Sequence, residues 1–119
     1  MNSLIESLFS NFSVNGVTVP VFYMFYDGHL DPYITYMQTD ADSAYAGDNE
    51  VLGYVDYYDI DIYSKGNYTD IMNAVITTMV NGGFTYQPSR NSSDMYETDT
   101  EYFHKTLCFA IEREVIING

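Results

Sequence analysis

The chain has 119 residues, 46% of them hydrophobic, which suits one domain with a single core and argues against global disorder. Seventeen acidic residues face only four basic ones, and the net charge of −13 argues against binding to a phosphate backbone, because that affinity comes from lysine and arginine. The acidity has two readings, which are simple solubility and a surface that repels passing DNA.

The single cysteine, Cys108, excludes an internal disulfide and any multi-cysteine zinc site. Because it lies in an alternating apolar stretch, it is predicted to be a buried structural thiol. Residues 1–13 lack a basic region followed by a long apolar run, so no signal peptide is expected. The sequence contains no run of about 18 consecutive apolar residues, so no transmembrane helix is expected. We therefore expect an intracellular protein, or part of something assembled inside a cell.

The first predicted elements are a short helix and two strands. Residues 2–12 place their apolar side chains on one helical stripe, which predicts a helix that needs a docking surface. Residues 17–26 are β-branched and aromatic around Pro20, which has no amide donor, so this strand should begin there or lie at an edge. Residues 33–39 form the next strand, and it could pair with the first across the link 27–32.

A polar acidic loop is predicted over residues 40–50, followed by a long strand over residues 51–63. The strand alternates, and this period of two predicts a sheet with one covered face and one wet face. The covered face carries Tyr58, Ile60 and Ile62, and the wet face carries Tyr57, Asp59, Asp61 and Tyr63.

The best-defined helix follows. Asn67 is a plausible N-cap, and Gly82-Gly83 supplies the end of the helix. Apolar residues recur between them at helical spacing, namely Tyr68, Ile71, Met72, Val75, Ile76, Met79 and Val80. A short strand over 84–87, a polar loop over 88–99 and a long alternating strand over 102–117 complete the chain.

This order of elements predicts a single α+β domain over residues 1–119, with a mostly antiparallel twisted sheet and two helices packed on one face. No repeat of 20–50 residues and no interdomain linker is visible in the sequence.

The acidic loop resembles a calcium-binding loop only superficially. Such a loop needs oxygen ligands at its first, third and fifth positions and glycine at its sixth. Counted from Asp40, the fifth and sixth positions are Ala44 and Tyr45, so the pattern fails. The segment is predicted to be a solvated loop. The alternative is a loop that becomes ordered when it contacts a partner.

The carboxylates and histidines form no recognisable catalytic pattern. Asp59 and Asp61 share a strand face predicted to be exposed, whereas acid–base catalysis needs a carboxyl with a raised pKa. His29 and His104 are the only histidines and lack further ligands at zinc spacing. His104 and Cys108 would lie about 13 Å apart along a strand. We expect no enzymatic activity, metal or cofactor.

The order of elements carries a resemblance to a known family. The segments concerned are Ile60-Asp-Ile-Tyr-Ser-Lys-Gly-Asn-Tyr-Thr-Asp-Ile71, Gly83-Phe84, Tyr102-Phe-His-Lys-Thr-Leu-Cys-Phe109 and, before the acidic loop, Pro32-Tyr-Ile-Thr-Tyr36. Over about residues 18–116, this pattern resembles the small tail terminator (tail completion) proteins encoded in the tail-module genes of phages and prophages of Gram-positive bacteria.

The resemblance implies a structural protein without enzymatic activity. It implies a hexameric ring that caps the tail tube, ends its polymerisation and joins the tail to the head connector. The implied partners are further copies of the chain, the tail tube protein and the head–tail connector protein. DNA would pass through the lumen without specific binding, and no membrane would be involved. The protein would be assembled in the host cytoplasm and located in the virion tail.

A ring subunit needs heterologous interfaces, and the long strands 51–63 and 102–117 are expected to reach a neighbour. Tyrosine suits such interfaces, because it combines apolar area with a hydrogen-bonding tip. The interface is therefore predicted in the acidic loop and on the wet strand face, at Asp40, Asp42, Tyr45, Asp48, Glu50, Asp59, Asp61 and Tyr63.

Two other interpretations remain open. A head-completion or neck protein of the same virion would also form a ring, and its binding partner would distinguish it. A small acidic binding module, such as an inhibitor or a nucleic-acid mimic, would instead capture one basic partner at a one-to-one ratio.

Overall fold

The computed structural model describes residues 2–46 and 50–114. Two α-helices, eight strands and one 3-10 turn lie within these residues. In chain order they are α1 (Asn2–Leu8), β1 (Ser13–Val14), β2 (Val17–Thr18), β3 (Val21–Tyr23), β4 (Tyr33–Ala46), β5 (Glu50–Ser64), α2 (Thr69–Asn81), β6 (Thr85–Tyr86), the 3-10 turn Pro88–Arg90, β7 (Met95–Glu97) and β8 (Tyr102–Glu114). Neither described helix is long and apolar enough to cross a membrane.

The main sheet has the order β3-β4-β5-β8-β6, and β7 also pairs with β8. Every pairing is antiparallel except that of β3 with β4, which is parallel. β1 and β2 form a separate hairpin, whose turn at Asn15 and Gly16 has the positive φ angles of 53° and 80°. The predicted α+β class is confirmed.

The core lies between one face of the sheet and both helices. The alternation of β5 predicted its inward side chains correctly, since Tyr58, Ile60 and Ile62 are at most 2% exposed. Burial of one isoleucine contributes about 1.5–3 kcal/mol. The same cluster takes Ile34 and Tyr36 from β4, Leu107 and Phe109 from β8, Ile5 from α1, the adjoining Phe9, and Ile71, Val75 and Met79 from α2. Both helices therefore pack on one face, as predicted.

Helix α2 begins and ends close to the predicted residues. The Asn67 side chain accepts a hydrogen bond from the Thr69 amide at 2.9 Å, which satisfies one of the free amides of the first turn. At the other end Gly83 has a φ of 99°, a conformation that glycine adopts at little cost. The Phe84 amide then donates to the Met79 carbonyl at 3.1 Å, which closes the last turn.

Helix α1 is shorter than the predicted 2–12 segment. It ends at Leu8, and Asn11 then adopts a positive φ of 57°. Phe9 nevertheless stays buried, and its ring meets that of Phe12 edge to face at 4.9 Å. The apolar stripe marked the residues that dock on the sheet, and only part of it is helical.

The predicted acidic loop over 40–50 is wrong, because β4 continues to Ala46 and β5 begins at Glu50. The register pairs Asp40 with Tyr57, Ala41 with Asp56 and Asp42 with Val55. Polar residues can extend a strand wherever its backbone groups are paired, even without a hydrophobic face. The stretch 88–99, which was predicted to be a polar loop, likewise contains the short strand β7. No alternation of apolar and polar residues predicted this strand. Residues 115–117 of the predicted last strand lie outside the described residues.

Alkaline pH is expected to destabilise the fold through its buried tyrosines. Burial first, and then Tyr102, Glu97 and Tyr26, raise the pKa of Tyr33 to about 12. An unfolded tyrosine ionises near 10. This stabilisation is therefore complete below pH 10 and is lost as the pH rises towards 12, because only the unfolded chain releases the proton in that range.

The measurement is urea unfolding at about pH 8 and about pH 11, compared with the variant Tyr33→Phe. The variant should lose less stability between the two pH values than the original chain does. An equal loss in both proteins would contradict a contribution from Tyr33.

Candidate functional site

The residues predicted for an interface fall into two separate groups in the structure. Asp40 and Asp42 are exposed on β4. Tyr45 and Glu50 belong to the same β4–β5 hairpin, and Asp48 lies outside the described residues. The second group consists of Asp59, Asp61 and Tyr63, which lie further along β5 on the sheet face opposite the helices.

The first group belongs to an extension of the sheet, which we call the arm, formed by residues 38–46, 50–57 and 111–114. β3 pairs only with Ile34–Tyr36 of β4, and β6 pairs only with Phe109 and Ala110 of β8. Beyond these contacts the described parts of β4, β5 and β8 pair only with one another. The molecule is accordingly elongated, with extents of 53 × 27 × 23 Å.

The outer edge of the arm offers backbone groups to another strand. Beyond the register shift between Gln38 and Asp40, the Ala41 amide donates to Oδ1 of Asp40 at 2.8 Å. An amide makes such a local bond when it points away from the ladder, and alternation turns the Ser43 amide in the same direction. An unpaired edge of this kind is a template for strand addition. The acidic side chains of Asp40 and Asp42 also repel a second copy of the same edge.

Two arginines stabilise the arm, Arg113 from within it and Arg90 from the 3-10 turn outside it. Nε of Arg113 donates to Asp56 at 2.9 Å, and its guanidinium lies 4.5 Å from the Tyr54 ring centre. The hydrogen bond that Arg113 donates to Asp56 is the largest cause that raises the pKa of Arg113. Arg90 lies 3.9 Å from the Tyr57 ring centre on the other face and pairs with Asp40 at 3.5 Å. The Asp56 carboxylate is buried, so this pair is the stronger of the two.

The second group is not the exposed face that alternation predicted. The side chains of Asp61 and its neighbour His104 are only 17% and 18% exposed, and they are bonded at 2.9 Å. Thr106, directly opposite Asp61 in the register, donates a second hydrogen bond to the same carboxylate. Tyr63 stacks on the His104 ring at 4.1 Å. Because β8 carries polar and aromatic side chains opposite those of β5, each strand covers the other on this face.

Asp59 and Cys108 are opposed in the same ladder. Burial first, and then the nearby Asp61 charge, raise the pKa of Asp59. Cys108 is 1% exposed, and this burial is the largest cause that raises the pKa of its thiol. A thiol kept protonated in this way is a poor nucleophile, and the predicted burial of Cys108 is confirmed. His104 forms its hydrogen bond with Asp61 and not with Cys108. The imidazole of His104 and the thiol of Cys108 therefore do not form a base–nucleophile pair.

The second group, formed by Asp59, Asp61 and Tyr63, therefore makes its contacts mainly within the sheet and exposes little surface to a partner. In the part of the chain that the structure describes, no group of three or more histidine, cysteine and acidic side chains is arranged to hold a metal ion. The arm is the more exposed of the two predicted regions. Sequence reasoning missed its free edge because the polar run 40–46 carries no strand periodicity.

No family model matches the chain, and no curated protein matches it.

Loss of the buried carboxylate in the arm is expected to destabilise the fold. Asp56→Asn removes the charge from a carboxylate that is 3% exposed and bound by Arg113, which should cost about 1–3 kcal/mol of unfolding free energy. The measurement is chemical denaturation. The matched control is Asp40→Asn, which makes the same change of charge at an exposed ion pair and should have no measurable effect. Equal effects of the two substitutions would contradict this assignment.

Proposed function

We propose that the chain is a structural tail assembly protein of a bacteriophage, which forms a ring that caps the tail tube, ends its polymerisation and joins the tail to the head connector. The observation that carries this proposal is the arm, because its free strand edge extends beyond the packed body of the subunit. The resemblance of the element order to tail terminator proteins supplies the identity of the assembly.

A closed ring needs two different complementary surfaces on each subunit. The outer edge of β4 beyond Tyr36 supplies one strand edge, and the β8 edge beyond Ala110 supplies a different one. Pairing of two β4 edges is disfavoured, because it would bring the exposed carboxylates of Asp40 and Asp42 on one copy close to those of the other. The geometry thus favours a heterologous contact over a symmetric dimer.

The distribution of charge supports passage of DNA without capture. Each of the four basic side chains has an internal partner: Arg90 pairs with Asp40, Lys105 with Asp94, Arg113 with Asp56, and Lys65 lies 5.2 Å from the Tyr102 ring centre. A net charge of −13 with its cations already engaged repels a phosphate backbone. Part of this surface would line the lumen of the ring.

The second candidate is a small acidic binding module, and the same charge favours it. Such a module would form a one-to-one complex with a basic protein and no ring. A head-completion or neck protein of the same virion would also form a ring. Its binding partner would distinguish it from a tail terminator.

Blocking the arm edge is expected to abolish ring formation. Ser43→Pro removes an amide that faces outward, while the matched control Ser43→Ala keeps it. The original chain and the control should form rings of about six subunits, the ring size that the resemblance implies, and the proline variant should remain monomeric. Light scattering and negative-stain microscopy, in the absence and presence of tail tubes, provide the measurement.

A strictly monomeric original chain that does not bind tube ends would contradict the proposal. Rings of unchanged size from the proline variant would show that the edge of β4 is not the contact. Circular dichroism of both variants checks that the fold is retained.

Ring assembly is expected to strengthen with salt. Subunits of net charge −13 repel one another, and this repulsion is screened at high ionic strength. The ring fraction measured by light scattering should therefore rise between about 50 mM and about 500 mM sodium chloride. Dissociation of rings over this range would contradict an interface formed against charge repulsion.

A further inference from the structure

A cleft lies at the end of the sheet opposite the arm. It lies between residues 24–30 and the β7–β8 connection and has a volume of about 590 Å³. Its lining combines aromatic side chains with acidic ones and contains a single lysine. The aromatic residues are Phe25, Tyr26, Tyr33, Tyr63 and Tyr102, and the acidic residues are Asp27, Glu97, Asp99 and Glu101.

The aromatic floor is held rigidly by ring-to-ring contacts. Tyr33 and Tyr63 stack with ring centres 4.6 Å apart, and Tyr102 stands almost perpendicular to both, at 85° and 87°. Tyr26 meets Tyr33 at 4.8 Å. The position of Tyr26 depends on Gly28, because a Cβ atom at this glycine would collide with the Tyr26 ring. The rings thus form a preformed corner, which reduces the entropy lost on binding.

The chain itself shows which ligand such a combination holds. Arg90 and Arg113 each lie over a tyrosine ring and bond a carboxylate at the same time. In the cleft, Lys65 lies over the Tyr102 ring at 5.2 Å, so this ring also accepts a cation. The lining nevertheless has four carboxylates for this one lysine and His29, which leaves an excess of negative charge.

We infer that the cleft binds an arginine side chain of another protein. A guanidinium is planar, stacks on aromatic rings and forms paired hydrogen bonds with carboxylates, so it fits this lining better than a compact ammonium group. The arginine has to come from a different protein, because Arg90 and Arg113 are held by partners within the chain. The highly exposed Phe25, at 73%, lies at the cleft and offers apolar contact to the polypeptide that carries the arginine.

This site is independent of the ring, since it uses neither edge of the arm. An arginine site on a chain that proves monomeric would support the acidic binding module, whereas rings without arginine binding would leave the assembly proposal intact. Failure of one proposal is therefore distinguishable from failure of the other.

The test is saturation-transfer NMR on the full chain with N-acetyl-arginine amide as the probe. The corresponding lysine and citrulline amides serve as comparisons, and citrulline has the shape of arginine without its charge. We expect saturable binding of the arginine probe, weaker binding of lysine and none of citrulline. Equal signals from arginine and citrulline, or from arginine and lysine, would overturn the assignment.

Two double variants with the same change of charge locate the site. Glu97→Gln with Glu101→Gln should weaken arginine binding about tenfold or more. Asp42→Asn with Glu112→Gln alters exposed carboxylates outside the cleft and should leave binding unchanged. If both pairs weaken binding equally, the attraction is only the general negative charge of the protein, and the inference is wrong. Thermal unfolding of both variants confirms that they are folded.

Discussion

The structure depends on the pairing of β5 along both of its edges. β4 accompanies it from Glu50 to Tyr63, and β8 accompanies it from Gly53 to Ser64. Because these ladders satisfy the backbone groups of β5 over nearly its whole length, the strand continues well past the part that the helices cover. One end of the resulting three-stranded sheet belongs to the packed body, and the other end forms the arm. The two proposed recognition surfaces lie at these opposite ends.

Scarcity of positive charge organises both ends of the molecule. With four basic residues against seventeen acidic ones, every cation has an intramolecular partner, and three of the four also contact a tyrosine ring. Arg113 neutralises the buried Asp56 and so allows the sheet to continue into the arm. Acidic residues outnumber basic ones by 13, and this excess gives the protein an acidic surface. Attraction of basic partners and repulsion of nucleic acid both follow from this single imbalance.

The two faces of the sheet are built by different chemistry. The helix-covered face is packed with isoleucine, leucine, tyrosine and phenylalanine. The opposite face is covered by its own side chains, through the stacking of Tyr33, Tyr63 and His104 and the hydrogen bonds that converge on Asp61. At the end of the sheet away from the arm, the cleft lies beside these tyrosines. Rigid rings and an adjacent open volume are the two conditions that a preformed recognition site requires.

The sequence by itself determined the α+β class, the buried side of β5 and the ends of α2. Each of these depends on local signals, which are the alternation around Ile60, the side chain of Asn67 and the conformational freedom of Gly83. Only the tertiary structure decided that residues 40–46 extend a strand, that Asp59 and Asp61 are covered, and that tyrosines distant in the chain share a cleft. These features arise from pairing between segments far apart in the chain. A strand whose neighbours supply its hydrogen bonds needs no hydrophobic period of its own, and a charged residue is exposed or covered according to what stands opposite it in the register.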